Sequence, residues 1–202
     1  MPYAPSPIAI VTPAQVVQAR AGGARLTVED DGDRIGAVIE AVSDEVNGLL
    51  GYPVIVHRVE QHDAYWRPAP LGRAAAPLAA LPLVQAVTAG LHRYGERFAA
   101  IETIPDEPLV YFAGYRRADM ATVEDCAAVA GEGLTTLPLP VPPVLSSFVI
   151  DAVLFRLNEA DLGVGYNQTA IDIGSGTVTR NGLRTSWWDQ NVHRLDPFRR
   201  IL

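Results

Sequence analysis

The chain predicts an α+β fold: a small helical bundle with a β-meander or hairpin and extended N- and C-terminal arms. Three stretches carry this expectation. Residues 33–50 place apolar side chains at a period near 3.6. Residues 83–115 alternate around turn residues. Residues 142–160 open on two prolines and continue as a second, more apolar helix.

The elements follow in chain order. Residues 1–11 hold three prolines and no helical period, giving an extended arm that needs another surface to hold it. Thr12, Pro13 and Gln15 then have the spacing of a capped helix start, and Gly22-Gly23 end that helix. The acidic run Glu29, Asp30, Asp31 and Asp33 leads into the central helix. Carboxylates suit a helix N-terminus, and the run lacks the alternating ligands and closing glutamate of a calcium loop.

In the central helix, Ile35, Val38, Ile39, Val42, Val46, Leu49 and Leu50 form one face. Asp33, Glu40, Asp44, Glu45 and Asn47 take the other. Gly51 can adopt the left-handed residue that ends a helix, and Pro53 cannot continue it. Val54, Ile55, Val56 and Val59 read as a strand.

Residues 62–82, dominated by Pro, Ala and Gly, read as an irregular loop. Strands are expected over 83–94, 97–103 and 108–113, with turns near Gly95 and at Pro105-Asp106. A short helix fits 122–130. In the proline-led helix, Leu145, Phe148, Val149, Ala152 and Val153 line one side. Phe155 and Leu157 widen the stripe, so this helix should be largely buried. Residues 169–180 suit a hairpin, and Asn181-Gly182 adds a turn. The expected division is an arm at 1–11, a core at 12–168, and a hairpin with a tail at 169–202.

With 202 residues, 49% of them hydrophobic and 19% charged, one domain with a real core is expected. The net charge of -7 argues against a protein that grips nucleic acid by its phosphates. All sixteen basic residues are arginine. Cys126 stands alone, which leaves no intrachain disulfide and suits a small apolar core residue. No signal-peptide pattern and no long apolar run appear, so the expectation is a soluble, cytoplasmic chain with no membrane partner.

Few constellations suggest chemistry. Asp172-Ile173-Gly174-Ser175-Gly176-Thr177 resembles the phosphate hairpin of actin-like ATPases, so a small nucleotide-binding domain or enzyme is the alternative reading. Too few residues follow for that fold, and a turn built from small residues is the plainer account. His57 and His62 are five apart, which is not metal-helix spacing. His92 and His193 stand singly. Ser146-Ser147 precede Asp151 without the glycines of a nucleophile elbow, and capping suits them better. Neither a cofactor nor a metal is expected.

The end of the chain is different. Trp187, Trp188 and Phe198 sit among arginines at a terminus, where a monomer has least means of burying them. Trp and Arg dominate protein–protein hot spots. A docking peptide is therefore expected, against the alternative of a tail that folds back on its own core.

Taken together, VTPAQVVQARAGGARLTVEDDGDRIGAVIEAVSDEVNGLLGYPVIVHRVEQ, Ala113-Gly114-Tyr115 and Leu195-Asp196-Pro197-Phe198-Arg199-Arg200 resemble tailed-phage head–tail connector (adaptor) proteins. In that family a Thr-led helix and an Asp-rich loop precede a long helix ending in Leu-Gly-aromatic/Arg-Pro before a strand. An Ala-Gly-Tyr strand end, a further helix and a closing Leu-x-Pro-Tyr-Arg follow. Here the 62–82 and 116–141 segments are longer than the pattern, and Phe198 stands where the family has tyrosine.

The resemblance implies a structural virion protein, not an enzyme. Copies form a ring, typically dodecameric, beneath the portal protein, and a stopper, nozzle or tail protein joins the opposite side. Genomic DNA passes through without specific binding. The resemblance would place the protein at the head–tail interface of the virion, and in the host cytoplasm during assembly. Trp187, Trp188, Leu195, Asp196, Pro197, Phe198, Arg199 and Arg200 would dock on the portal, and deleting 187–202 would leave a folded chain. Glu40, Asp44 and Glu45 would face a neighbouring subunit or the channel, whose wall should carry more carboxylates than arginines.

Overall fold

The computed structural model describes residues 6–20, 26–161, 169–173, 176–180 and 183–199, of which 159–161, 169–173, 176–180 and 183–186 are described as backbone. Five helices and nine strands of an α+β fold occupy these segments.

Helix α1 (Pro13–Ala19) starts at a capping box between Thr12 and Gln15. Helix α2 (Val28–Leu50) begins earlier than its apolar period suggests. Thr27 caps it by accepting from the Asp30 amide, so the acidic run forms the first turns of the helix and does not merely precede them. Carboxylates there face the unpaired N-terminal amides and lengthen the helix. Ile35, Ile39, Val42, Val46 and Leu50 are buried, Val38 is half-buried and Leu49 is exposed. Gly51 is left-handed (φ 78°), and Asn47 accepts from the Val54 amide, clamping the break after the helix.

The sheet region differs from the expected meander. Strand β1 is His57–Gln61, and the 62–82 stretch is not a loop throughout. It contains β2 (Arg67–Ala69) and β3 (Arg73–Pro77), joined by the turn Pro70–Gly72. The alanines of β3 pair with β6 (Phe98–Ile101), and small side chains suit that buried contact. The expected 83–94 strand is split into β4 (Leu83–Ala86) and β5 (His92–Tyr94) by a bend with Gly90 at φ 75°. Strand β7 is Leu109–Ala113. Two antiparallel sheets result, β1-β7-β4 and β2-β3-β6-β5. The chain therefore changes sheets four times, between β1 and β2, β3 and β4, β4 and β5, and β6 and β7.

Helix α3 (Val123–Ala130) is capped by Thr122 and Asp125. The Thr122 amide and hydroxyl hold the Asp125 carboxyl below its ordinary range. Helix α4 (Pro143–Asp161) packs against α1 and α2. Its Leu145, Phe148, Val149, Ala152, Val153 and Leu157 are buried, while Val144 and Asp151 are exposed. Strands β8 (Thr169–Ile173) and β9 (Gly176–Arg180) form the expected hairpin. Helix α5 (Leu183–Asn191) and a 3₁₀ segment (Val192–Phe198) close the described chain.

One cluster joins α2, α4 and the inward face of the sheets through Tyr111 and Ala113. A smaller one places Phe112, the next residue of β7, with Met120, Cys126 and Leu134 under α3. Alternation along one strand thus serves both layers. Cys126 is buried, and desolvation raises its thiol pKa.

The described part of the N-terminal arm is held by its own chain. Ala9, Ile10 and Val11 are buried, and the Ile10 amide donates to Ser43 Oγ on α2 at 3.0 Å. Arg117 donates from Nη1 to the Ser6 and Ala9 carbonyls, and its other nitrogens pair with Asp119. Buried charge is tolerated here because each direction of the guanidinium has an acceptor.

Candidate functional site

The C-terminal tail folds back onto the core, which corrects the expectation of an extended docking arm. From 183 to 198 it is helical. Leu195 is completely buried in the main core, and Trp187 and Trp188 are half-buried over Phe148, with ring centroids 5.6 and 5.5 Å away. Trp187 also stacks on Phe155 at 5.6 Å. The exposed α4 edge supplies the anchors. Arg194 donates to Asp151 at 2.9 Å and to Ser147 Oγ at 3.2 Å, with its guanidinium over Phe148. Ser147 and Asp151 thus hold the tail, while the Ser146 hydroxyl donates to the Pro143 carbonyl in the first turn of α4. Aromatic area that would need a partner in an extended tail finds it on α4.

The last described residues meet the two other motifs of the resemblance. The Tyr52 phenol donates to the Phe198 carbonyl at 2.5 Å. Arg97 donates to the Arg199 carbonyl at 2.8 Å and the Pro197 carbonyl at 3.4 Å. Tyr115 exchanges backbone hydrogen bonds with the segment between α2 and β1, donating to Val54 and accepting from Val56. Gly114 lies where the chains touch (φ +114°), and a Cβ there would sit 2.8 Å from the Val54 carbonyl oxygen. The Gly51-Tyr52-Pro53 break, Gly114-Tyr115 and Pro197-Phe198 come together in this way.

Between them is a cleft of about 230 Å³, lined by Tyr52, Pro82, Arg93, Tyr115, Leu139 and Phe198 among others. Burial, with the neighbouring Tyr115 phenol, pushes the Tyr52 pKa up to about 12 against the opposing Arg97 charge. Tyr115 is raised too, chiefly by burial and against the pull of Arg93. Both phenols are therefore neutral hydrogen-bonding groups. The cleft offers an apolar floor, two phenols, the arginines Arg93 and Arg97 and the carboxylate of Glu96.

The remaining residues singled out in the sequence do not converge. Of the acidic trio on α2, Asp44 is exposed, Glu40 is half-buried, and Glu45 is ion-paired with Arg156 of α4. Asp196 and Pro197 are exposed, and Arg199 pairs with Asp196 at 3.2 Å. Arg200 lies outside the described residues, as do Gly22-Gly23, Gly174, Ser175 and Asn181-Gly182. Asp172 and Thr177 face each other across the β8–β9 hairpin.

His57 Nδ1 lies 3.0 Å from the Ile55 carbonyl, and burial lowers its pKa despite that bond. His62 and His193 are exposed, and His92 contacts Arg73. Among the described residues no group of three or more His, Cys, Asp or Glu could hold a metal ion. No described helix is long and apolar enough to cross a membrane.

Tyr52, Arg93, Arg97 and Leu139 were not expected as site residues. The two arginines flank the β5–β6 turn, and nothing local signals that Arg97 reaches a tail 102 residues away. No protein-family model matches the chain, and no curated protein matches it.

Proposed function

We propose that this chain is a head–tail connector (adaptor) subunit, a structural protein that forms a ring on the portal, extends the DNA channel and receives the next neck or tail component. One observation carries the reading. The three short strings that resemble the family are distant in sequence and come into direct contact around the cleft. A shared fold constraint of this kind explains why such strings would occur together and in order.

The packing of the tail refines the portal-docking surface. Leu195 and the two tryptophans hold the tail on the core, so of the expected docking residues Asp196 and Pro197 remain exposed to a portal, with Arg199 paired to Asp196. On the acidic face, Glu45 is engaged with Arg156, which leaves Asp44 as the carboxylate best placed to face a subunit or DNA. Repulsion of phosphate by such a wall would let DNA slide.

The test mixes the purified full chain with the portal protein of its particle. A ring of twelve copies on the portal in negative-stain images is expected. Asp196→Arg with Pro197→Ala should abolish that binding while the thermal melt is unchanged. A chain that does not bind portal, with its fold intact, overturns the reading.

A further inference from the structure

We propose that the cleft beside Tyr115 receives the turn 102–108 of a second copy of this chain, in a head-to-tail contact. The inference rests on the ring reading above and names the surfaces that would build the ring. Strand β6 starts next to Arg97 at the cleft and runs away from it to Ile101. Strand β7 returns and ends at Gly114-Tyr115, again at the cleft. The connection 102–108 therefore lies at the far end of both strands. The five residues of β7 put it about 16 Å from the cleft at a rise near 3.3 Å per residue. A copy cannot reach its own cleft with this turn, whereas a neighbour can.

The two surfaces complement each other. In the turn, Ile104 is 50% exposed and is flanked by the exposed carboxylates Glu102, Asp106 and Glu107. Asp106 and Glu107 have no ion pair among the described residues. At the cleft, Leu139 is 64% exposed beside Phe198 and Pro82, and Arg93 projects at the rim. Arg93 uses Nε for the Gly95 carbonyl and has no ion pair among the described residues. An aliphatic side chain between carboxylates thus faces an apolar floor edged by the Arg93 and Arg97 guanidiniums and by a single carboxylate, Glu96. Rim charges of this type set orientation, and the apolar anchor supplies affinity. Because the patches are different and lie at opposite ends, the contact repeats from copy to copy and closes into a ring or continues as a filament.

Sedimentation velocity over a concentration series of the full chain tests this. Wild type should assemble as concentration rises. Arg93→Glu alone, and Asp106→Arg with Glu107→Arg, should each abolish assembly, since all three side chains are exposed and their loss leaves the melt unchanged. One chain carrying all three reversals should assemble again. Ile104→Ala should weaken assembly at least tenfold. Assembly that survives both sets of reversals, or is not restored in the combined variant, overturns this contact and leaves the connector reading standing. A wild-type chain that remains monomeric throughout also overturns the contact, while the portal-mixing experiment judges the connector reading separately.

Discussion

The Tyr52 phenol donates to the carbonyl of Phe198, 146 residues further along, at 2.5 Å. Through this bond the helix break after α2 meets the end of the described tail. Tyr52→Phe removes it, strands a half-buried carbonyl, and should cost about 1–2 kcal/mol. The pH dependence follows from the raised phenol. Unfolded tyrosine loses its proton near pH 10, and folded Tyr52 holds it to about 12. The folded state thus binds the extra proton between these values, so the stabilisation is present below pH 10 and is lost as pH rises toward 12. Urea melts from pH 9 to 12 should show this fall in wild type and a shallower one in Tyr52→Phe.

His57 has the opposite sign. Burial lowers its pKa in the folded state, so the unfolded chain takes up a proton first as pH drops below about 6.5. Stability should be constant above that value and fall below it. His57→Gln should flatten the acid side of a Tm-versus-pH curve between pH 7 and 5.

Gly114→Ala should be among the most damaging single changes. A new Cβ would lie 2.8 Å from the Val54 carbonyl oxygen and 2.9 Å from the Ile55 carbonyl carbon, at a φ of +114° that side chains avoid. Both obstacles are backbone, and a loss of roughly 3 kcal/mol or more is expected in denaturant unfolding. Gly95→Ala meets no atom within 4 Å, and at φ +73° it should cost only about 1 kcal/mol.

Leu195→Ala should cost roughly 2–5 kcal/mol as a buried truncation. The same burial reverses one expectation from sequence. Deleting 187–202 strips the cover from Phe148 and removes a core leucine, so it should lower Tm sharply and should not leave an intact fold. Thermal melts of the deletion beside Asp196→Arg separate loss of fold from loss of docking.

Much of the helical layer was legible because its signals are local. Thr12 with Gln15, Gly51-Tyr52-Pro53 and the 3.6-residue period of Ile35 to Leu50 each act within a few residues. The sheets were less legible. Arg73–Pro77 is a strand because its alanines fit against β6, a non-local fact that alanine's weak strand preference conceals. The run 83–94 looked continuous, yet its halves pair with strands of different sheets. The tail was ambiguous for another reason. Tryptophans near a terminus satisfy a partner or their own core equally well on paper, and only the Phe148 and Phe155 face of α4 decides between them. The cleft shares this limit, since Arg97 and Phe198 belong to one site solely through the tertiary fold.

Arg117 also bears on the order in which the chain is made. Arg117 is 3% exposed, and its guanidinium depends on the carbonyls of Ser6 and Ala9. On a ribosome those acceptors emerge more than a hundred residues before their donor. The first segment can bond Ser43 once α2 is outside, but its hold on Arg117 must wait. Arg117 is thus the last of these contacts to be synthesised, and the Ser6 and Ala9 carbonyls lack their guanidinium until then.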